Sequence, residues 1–137
     1  MNINNSDDPF YRYKRPKFEV EYIKGKKQSI IKNIIEMCKK IDRDAPTLAK
    51  FFAKAFSTSA KLNKQKFLEI NAIISTDDLD KCLQEFIDRY ILCPSCDNPE
   101  TIITKKGNNI EFDCTACGSL SILEVKNKYD QIIYNNI

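Results

Sequence analysis

The chain has 137 residues, with 22 Lys+Arg against 19 Asp+Glu, six Cys and no His. That length suits one domain or a compact pair with a modest core. Without histidine there is no Ser-His-Asp triad, no Cys-His dyad and no imidazole base, so any metal must be held by thiolates or carboxylates. The net +3 is unevenly spread: residues 1–75 carry 16 basic and 8 acidic side chains, residues 76–137 carry 6 and 11. A basic front half joined to an acidic back half points to an anionic partner for the front.

Residues 1–9 are polar and end at Pro9, with no apolar run that would serve as a signal peptide. Uncharged stretches reach only about ten residues, short of the roughly 20 a membrane span needs. A soluble, cytoplasmic protein is expected, its cysteines divided between a metal site and free thiols rather than disulfides. Next comes Phe10-Tyr11-Arg12-Tyr13-Lys14-Arg15-Pro16, an aromatic and basic arm taken here as residues 1–17. Residues 18–23 alternate Phe18, Val20 and Tyr22 with Glu19 and Glu21, the pattern of a half-buried strand. Gly25-Lys26-Lys27-Gln28 reads as a turn. Ser29 then caps an expected helix to about Ile41, with Ile31, Ile34, Ile35, Cys38 and Ile41 on its apolar stripe.

A second helix is expected over residues 46–56, crowding Leu48, Phe51, Phe52, Ala55 and Phe56 on one side. Two short strands follow around residues 61–63 and 66–71. Ser75-Thr76-Asp77-Asp78 opens a third helix, with cap candidates and acids at the positive end of the dipole. Leu79, Cys82, Leu83, Phe86, Ile87 and Tyr90 form its stripe, and it ends near Ile91. Residues 18–91 are thus an α/β domain of about three helices and three short strands. Cys38 and Cys82 fall on apolar helical faces and read as core thiols.

Residues 92–137 carry the most specific signal: Cys93-Pro94-Ser95-Cys96 and, 17 residues on, Cys114-Thr115-Ala116-Cys117-Gly118. Two matched C-x₂-C pairs at this spacing read as a Cys₄ zinc ribbon holding one structural Zn²⁺. Four thiolates leave no open position for a catalytic water. Strands are expected over residues 101–104, 110–112 and 120–125, the first two joined by a hairpin tip at residues 105–109. A tail closes the chain. The fold class is α+β, with an α/β domain followed by a ribbon of three antiparallel strands. No nucleophile–base pair or phosphate loop is present, so the chain is not expected to be an enzyme.

The FYRYK run at residues 10–14 with Pro16, and the ILCPSCDNPET run at residues 91–101 with Cys114, Cys117 and Gly118, resemble the N-terminal domain of eukaryotic translation initiation factor five. The resemblance extends from Phe10 to about Ile133. The beta subunit of initiation factor two shares the core but lacks the FYRYK run. The resemblance implies activation of GTP hydrolysis on initiation factor two, on its gamma subunit, during start-codon selection. Arg12 would be the activating residue, a finger acting in trans. Phe10, Tyr11, Tyr13 and Lys14 would dock the arm, and Lys32 and Lys50 would touch the GTPase or initiator tRNA. Implied partners are that GTPase, the small ribosomal subunit and initiator tRNA, with a monomeric protein and no membrane. Gln28-Ser29-Ile30 stands where the family has glycines, and the family's linker and C-terminal helical-repeat domain are expected to be missing. Two other readings stay open: a non-catalytic module resembling the beta subunit, binding GTPase and initiator tRNA, and a zinc-ribbon nucleic-acid binder.

Overall fold

The structure, a computed structural model, describes residues 2–4 and 13–137. β1 (Val20–Ile23) and β2 (Gln28–Ile31) form a hairpin around a short 3₁₀ turn at Lys24–Lys26. α1 (Ile34–Ile41), α2 (Ala45–Ala55), β3 (Ala60–Leu62), β4 (Leu68–Ile70) and α3 (Thr76–Tyr90) complete the first part. β5 (Thr101–Lys106), β6 (Asn109–Cys114) and β7 (Leu120–Glu124) follow, then α4 (Lys128–Asn135). The first sheet has the order β1-β2-β4-β3 and the second β5-β6-β7, with every pairing antiparallel.

The helix expected from Ser29 begins only at Ile34, because residues 28–31 are a strand inside the first sheet. Ile30 and Ile31 are β-branched and suit a pleated surface. The Ser29 hydroxyl caps nothing: it donates to the Ala72 carbonyl at 2.6 Å and accepts from the Ile74 N–H at 2.9 Å. Ile31 therefore joins Val20, Leu68 and Leu62 in a cross-strand row facing the core. The first sheet has four strands where three were expected, and the expected tail is a helix. The other boundaries agree closely. Pro46 lies in the first turn of α2, and Ser75 accepts from the Asp78 N–H at 3.1 Å as the N-cap of α3.

One buried cluster runs through both parts. Ile31, Ile34, Leu48, Phe52, Leu68, Leu79, Leu83 and Phe86 belong to it, together with Ile110 and Phe112 of the ribbon and Ile133 of α4. Phe51 is an aromatic hub, with its ring centroid 5.1 Å from Phe86, 6.1 Å from Tyr90 and 5.4 Å from Tyr129. The seam between the two parts is also polar. Arg43, in the loop after α1, donates to the Tyr90 carbonyl at 2.9 Å and to Thr101 Oγ1 at 3.1 Å. A guanidinium at the C-terminal end of α3 meets the negative end of its dipole. No helix among the described residues is long and apolar enough to cross a membrane.

Candidate metal centre

The two cysteine knuckles are built alike. In the first, the Asp97 N–H donates to the Cys93 carbonyl at 2.9 Å, and the Cys93 N–H donates to the Asn98 carbonyl at 2.9 Å. In the second, the Gly118 N–H donates to the Cys114 carbonyl at 2.8 Å, and the Cys114 N–H donates to the Ser119 carbonyl at 3.0 Å. The residue four beyond the leading cysteine is left-handed in both, Asp97 at φ 63° and Gly118 at φ 76°. Glycine or a short Asx side chain tolerates that conformation, which explains the residue types there.

These turns bring all four Sγ atoms within 4.8 Å of one another. Cys93 Sγ lies 3.7 Å from Cys117 Sγ, and Cys96 Sγ 3.6 Å from Cys114 Sγ. A tetrahedral shell with metal–sulfur bonds of about 2.3 Å spaces its sulfurs about 3.8 Å apart, so the donor set and spacing fit such an ion. Further donors point at the sulfurs: the Ser95 N–H at 3.4 Å from Cys93 Sγ and Asn98 Nδ2 at 3.5 Å from Cys96 Sγ. Ser119 Oγ lies 3.2 Å from Cys117 Sγ, and its hydrogen bonding holds that thiol down at about 6. Such contacts stabilise thiolates and fix their directions. The four predicted ligands therefore form a site able to hold one metal ion.

Of the remaining predicted residues, the structure describes Tyr13, Lys14, Lys32 and Lys50. Phe10, Tyr11 and Arg12 lie outside the described residues. Tyr13 is half-buried against the core, and Lys14 is exposed and bridged to Asn2. Lys32 sits in the turn between β2 and α1 rather than on a helix, exposed and 3.4 Å from Glu21. Lys50, on α2, donates to Asn136 Oδ1 at 3.0 Å. Cys38 and Cys82 are buried core thiols, as their stripes imply, and burial pushes each up to about 12.

Sequence reasoning missed Asp130, which is fully buried on α4. Arg89 grips both its oxygens, Nε to Oδ1 at 2.8 Å and Nη2 to Oδ2 at 2.7 Å, and Tyr90 donates to Oδ1 at 2.5 Å. Burial raises this carboxyl, but the Arg89 and Tyr90 hydrogen bonds outweigh it and hold the group at about 2. The signal was Asn127 three residues ahead of Asp130, an N-cap pattern opening an amphipathic run in the expected tail.

With this geometry established, comparison with known proteins is decisive. The model of the family described as the domain found in initiation factors 2B and 5 matches residues 3–120. The chain belongs to this family. It is 33% identical over 145 residues to eukaryotic translation initiation factor 5 of Saccharomyces cerevisiae, covering 99% of this chain and 35% of that protein. The factor of Phaseolus vulgaris is 34% identical over 141 residues, covering 99% and 32%. That of Dictyostelium discoideum is 31% identical over 144 residues, covering 99% and 35%. The chain thus spans about a third of the length of these relatives, and corresponds to an initiation factor 5-like N-terminal domain.

Proposed function

We propose that this chain acts in translation initiation as an activator of GTP hydrolysis on initiation factor two, with Arg12 as a finger supplied in trans. The observation that carries the reading is the FYRYK run at residues 10–14, in a chain whose relatives are named as initiation factor 5. Phosphoryl transfer develops charge on the γ-phosphoryl oxygens, and a guanidinium from a partner stabilises it, for about 10³–10⁵ in rate. Arginine suits the role because its planar fork meets two oxygens and stays charged. Lys14 and Lys32 are both exposed, Lys32 beside Glu21, and the Lys50 side chain is bonded to Asn136 just beyond α4. The four cysteines would hold zinc as a structural ion, keeping the ribbon folded. The activator is a cytoplasmic regulator, and the gamma subunit of the GTPase, initiator tRNA and the small ribosomal subunit are its proposed partners.

The outer face of the ribbon favours protein over nucleic acid as a neighbour. Ile102, Leu120 and Ile122 are all more than half exposed there, around Asp113 and Glu111 on the central strand. That face carries carboxylates and no aromatic ring, unlike a base-stacking surface. The test of the main reading is GTP hydrolysis in a reconstituted initiation complex. Arg12→Ala and Arg12→Lys should each lose most of the stimulated rate while binding is retained. Equal rates for wild type and Arg12→Ala would remove the finger.

A further inference from the structure

The outer face of the ribbon reverses the usual alternation of a half-covered sheet. An antiparallel sheet packed on one side sends apolar residues inward and polar ones to solvent. In β7 the cross-strand register turns Ser121 inward beside Phe112, and Leu120 and Ile122 outward. Across the three strands, Ile102, Asp113 and Leu120 form one outward rung, and Thr104, Glu111 and Ile122 form the next. Ile102 is 52% exposed, Leu120 65% and Ile122 51%, so three aliphatic side chains share one solvent-facing surface around two carboxylates. Exposed aliphatics standing singly are ordinary, but a contiguous group rimmed by charge marks an interaction site.

The surface continues past β5, where Ile102 also lines a cleft of about 290 Å³ whose wall carries Asp42 and Asp44 on either side of Arg43. Arg43 itself is engaged with the Tyr90 carbonyl and Thr101. At the other end of the face two cations are already bridged, Lys106 at 3.8 Å from Glu111 and Lys126 at 3.6 Å from Glu124. The Asp113 carboxylate, between Ile102 and Leu120, is exposed and has no ion-pair or hydrogen-bond partner among the described residues.

We propose that this face docks a protein segment that carries lysine or arginine among aliphatic side chains. The proposal is independent of the reading of Arg12. A purely apolar segment would take the Asp113 carboxylate out of water with no counter-charge, which is strongly unfavourable. A nucleic acid would set its phosphates against Asp113 and Glu111. A second copy laid face to face would oppose the same carboxylates to each other. A cation flanked by apolar groups meets both demands of the surface. It pairs with Asp113 while its neighbours cover Ile102, Leu120 and Ile122, and the water excluded there strengthens the pair. Residues 76–137 carry 6 basic and 11 acidic side chains, so the longer-range field draws in the same cationic partner. With strands about 4.8 Å apart the face is only about 10 Å wide, the footprint of a short extended segment.

The test is a titration of the zinc-loaded chain, followed by amide NMR shifts, with a short peptide repeating lysine-leucine-lysine-serine. The shifts should centre on Ile102, Asp113, Leu120 and Ile122 and saturate with a dissociation constant of about 10–100 μM at low salt. Added salt should weaken the binding. Asp113→Lys should weaken it about five-fold, and Leu120→Thr together with Ile122→Thr about ten-fold. A peptide with glutamate in place of lysine should bind Asp113→Lys more tightly than wild type, a gain that loss of fold would not produce. No shift on this face at about 1 mM lysine peptide overturns the proposal. Equal binding of the lysine and glutamate peptides to wild type overturns it too. Shifts on the same face with single-stranded oligouridylate assign it to nucleic acid and overturn it. Shifts there that grow with the concentration of the chain alone assign it to contact between copies, with the same result.

Discussion

The molecule holds two antiparallel sheets together by different means. In β1-β2-β4-β3 the inner residues Ile31, Leu68 and Ile70 are fully buried, and they share a core cluster with apolar residues of all four α-helices. In β5-β6-β7 the aliphatic and aromatic side chains comparably buried are Ile110 and Phe112 alone, while Leu120 and Ile122 stand more than half exposed. Apolar burial holds the first sheet, at about 25 cal/mol per Å² removed from water. The ribbon has too little apolar area for that, and relies on its cysteine knuckles at one end and on the seam with α3 and α4 along one face. The contrast leaves a small three-stranded sheet with two supports: a four-cysteine site able to hold an ion, and a neighbour's core.

Removing the metal should break this comparison most completely. Structural zinc in small domains contributes apparent free energies of about 10–16 kcal/mol. A chelator should abolish amide protection across β5, β6 and β7 while β1, β2 and β4 remain protected, and metal analysis should return one ion per chain. Because thiolates are the ligands, affinity should fall as the pH is lowered and protons compete. A ribbon still protected after complete metal removal would refute the ligation half of the contrast.

The borrowed core is tested next. Phe112 is 4% exposed on β6 and faces the shared cluster. Phe112→Ala should cost about 3–5 kcal/mol in urea unfolding of the metal-loaded chain. A cost below about 1 kcal/mol would mean that the ribbon stands without the seam.

Asp130→Asn should loosen α4 from α3 by about 2 kcal/mol. That is less than a fully buried ion pair would lose, because the Arg89 side chain is 41% exposed and regains water. The folded carboxyl lies at about 2, below its ordinary value near 3.9. Its contribution is therefore complete above about pH 4, declines as the pH falls and is gone below about pH 2. The variant should lack this acid-dependent loss in a series of melts. The smallest effect belongs to the first part alone: Ser75→Ala should cost about 1 kcal/mol as a lost helix cap and leave metal affinity unchanged.

How far the sequence carried the fold can be read from particular elements. The stripe of α3 from Leu79 to Tyr90 was legible because a 3.6-residue period and a Ser75 cap point to the same helix. The segment containing Ser29 was misread because Ile30 and Ile31 suit a helix stripe or a strand equally well in isolation. Pairing with β1 and β4 decided between them, and that information is non-local. Lys32 moved off its expected helix for the same reason. The tail became α4 because Tyr129 and Ile133 find apolar partners that only the assembled α2, α3 and ribbon provide.

The sequence by itself marked the four cysteines of the candidate metal centre, since two C-x₂-C turns carry their geometry within a few residues. It also determined the family resemblance, carried by contiguous runs, and the charge division between the two halves. Tertiary structure alone decided the partners of Ser29, the buried grip of Arg89 on Asp130, and the contact that brings Ile3 to Tyr13 and Gln84. Each joins residues distant along the chain, and local propensity holds no record of a hydrogen bond whose two ends are brought together only when the core closes.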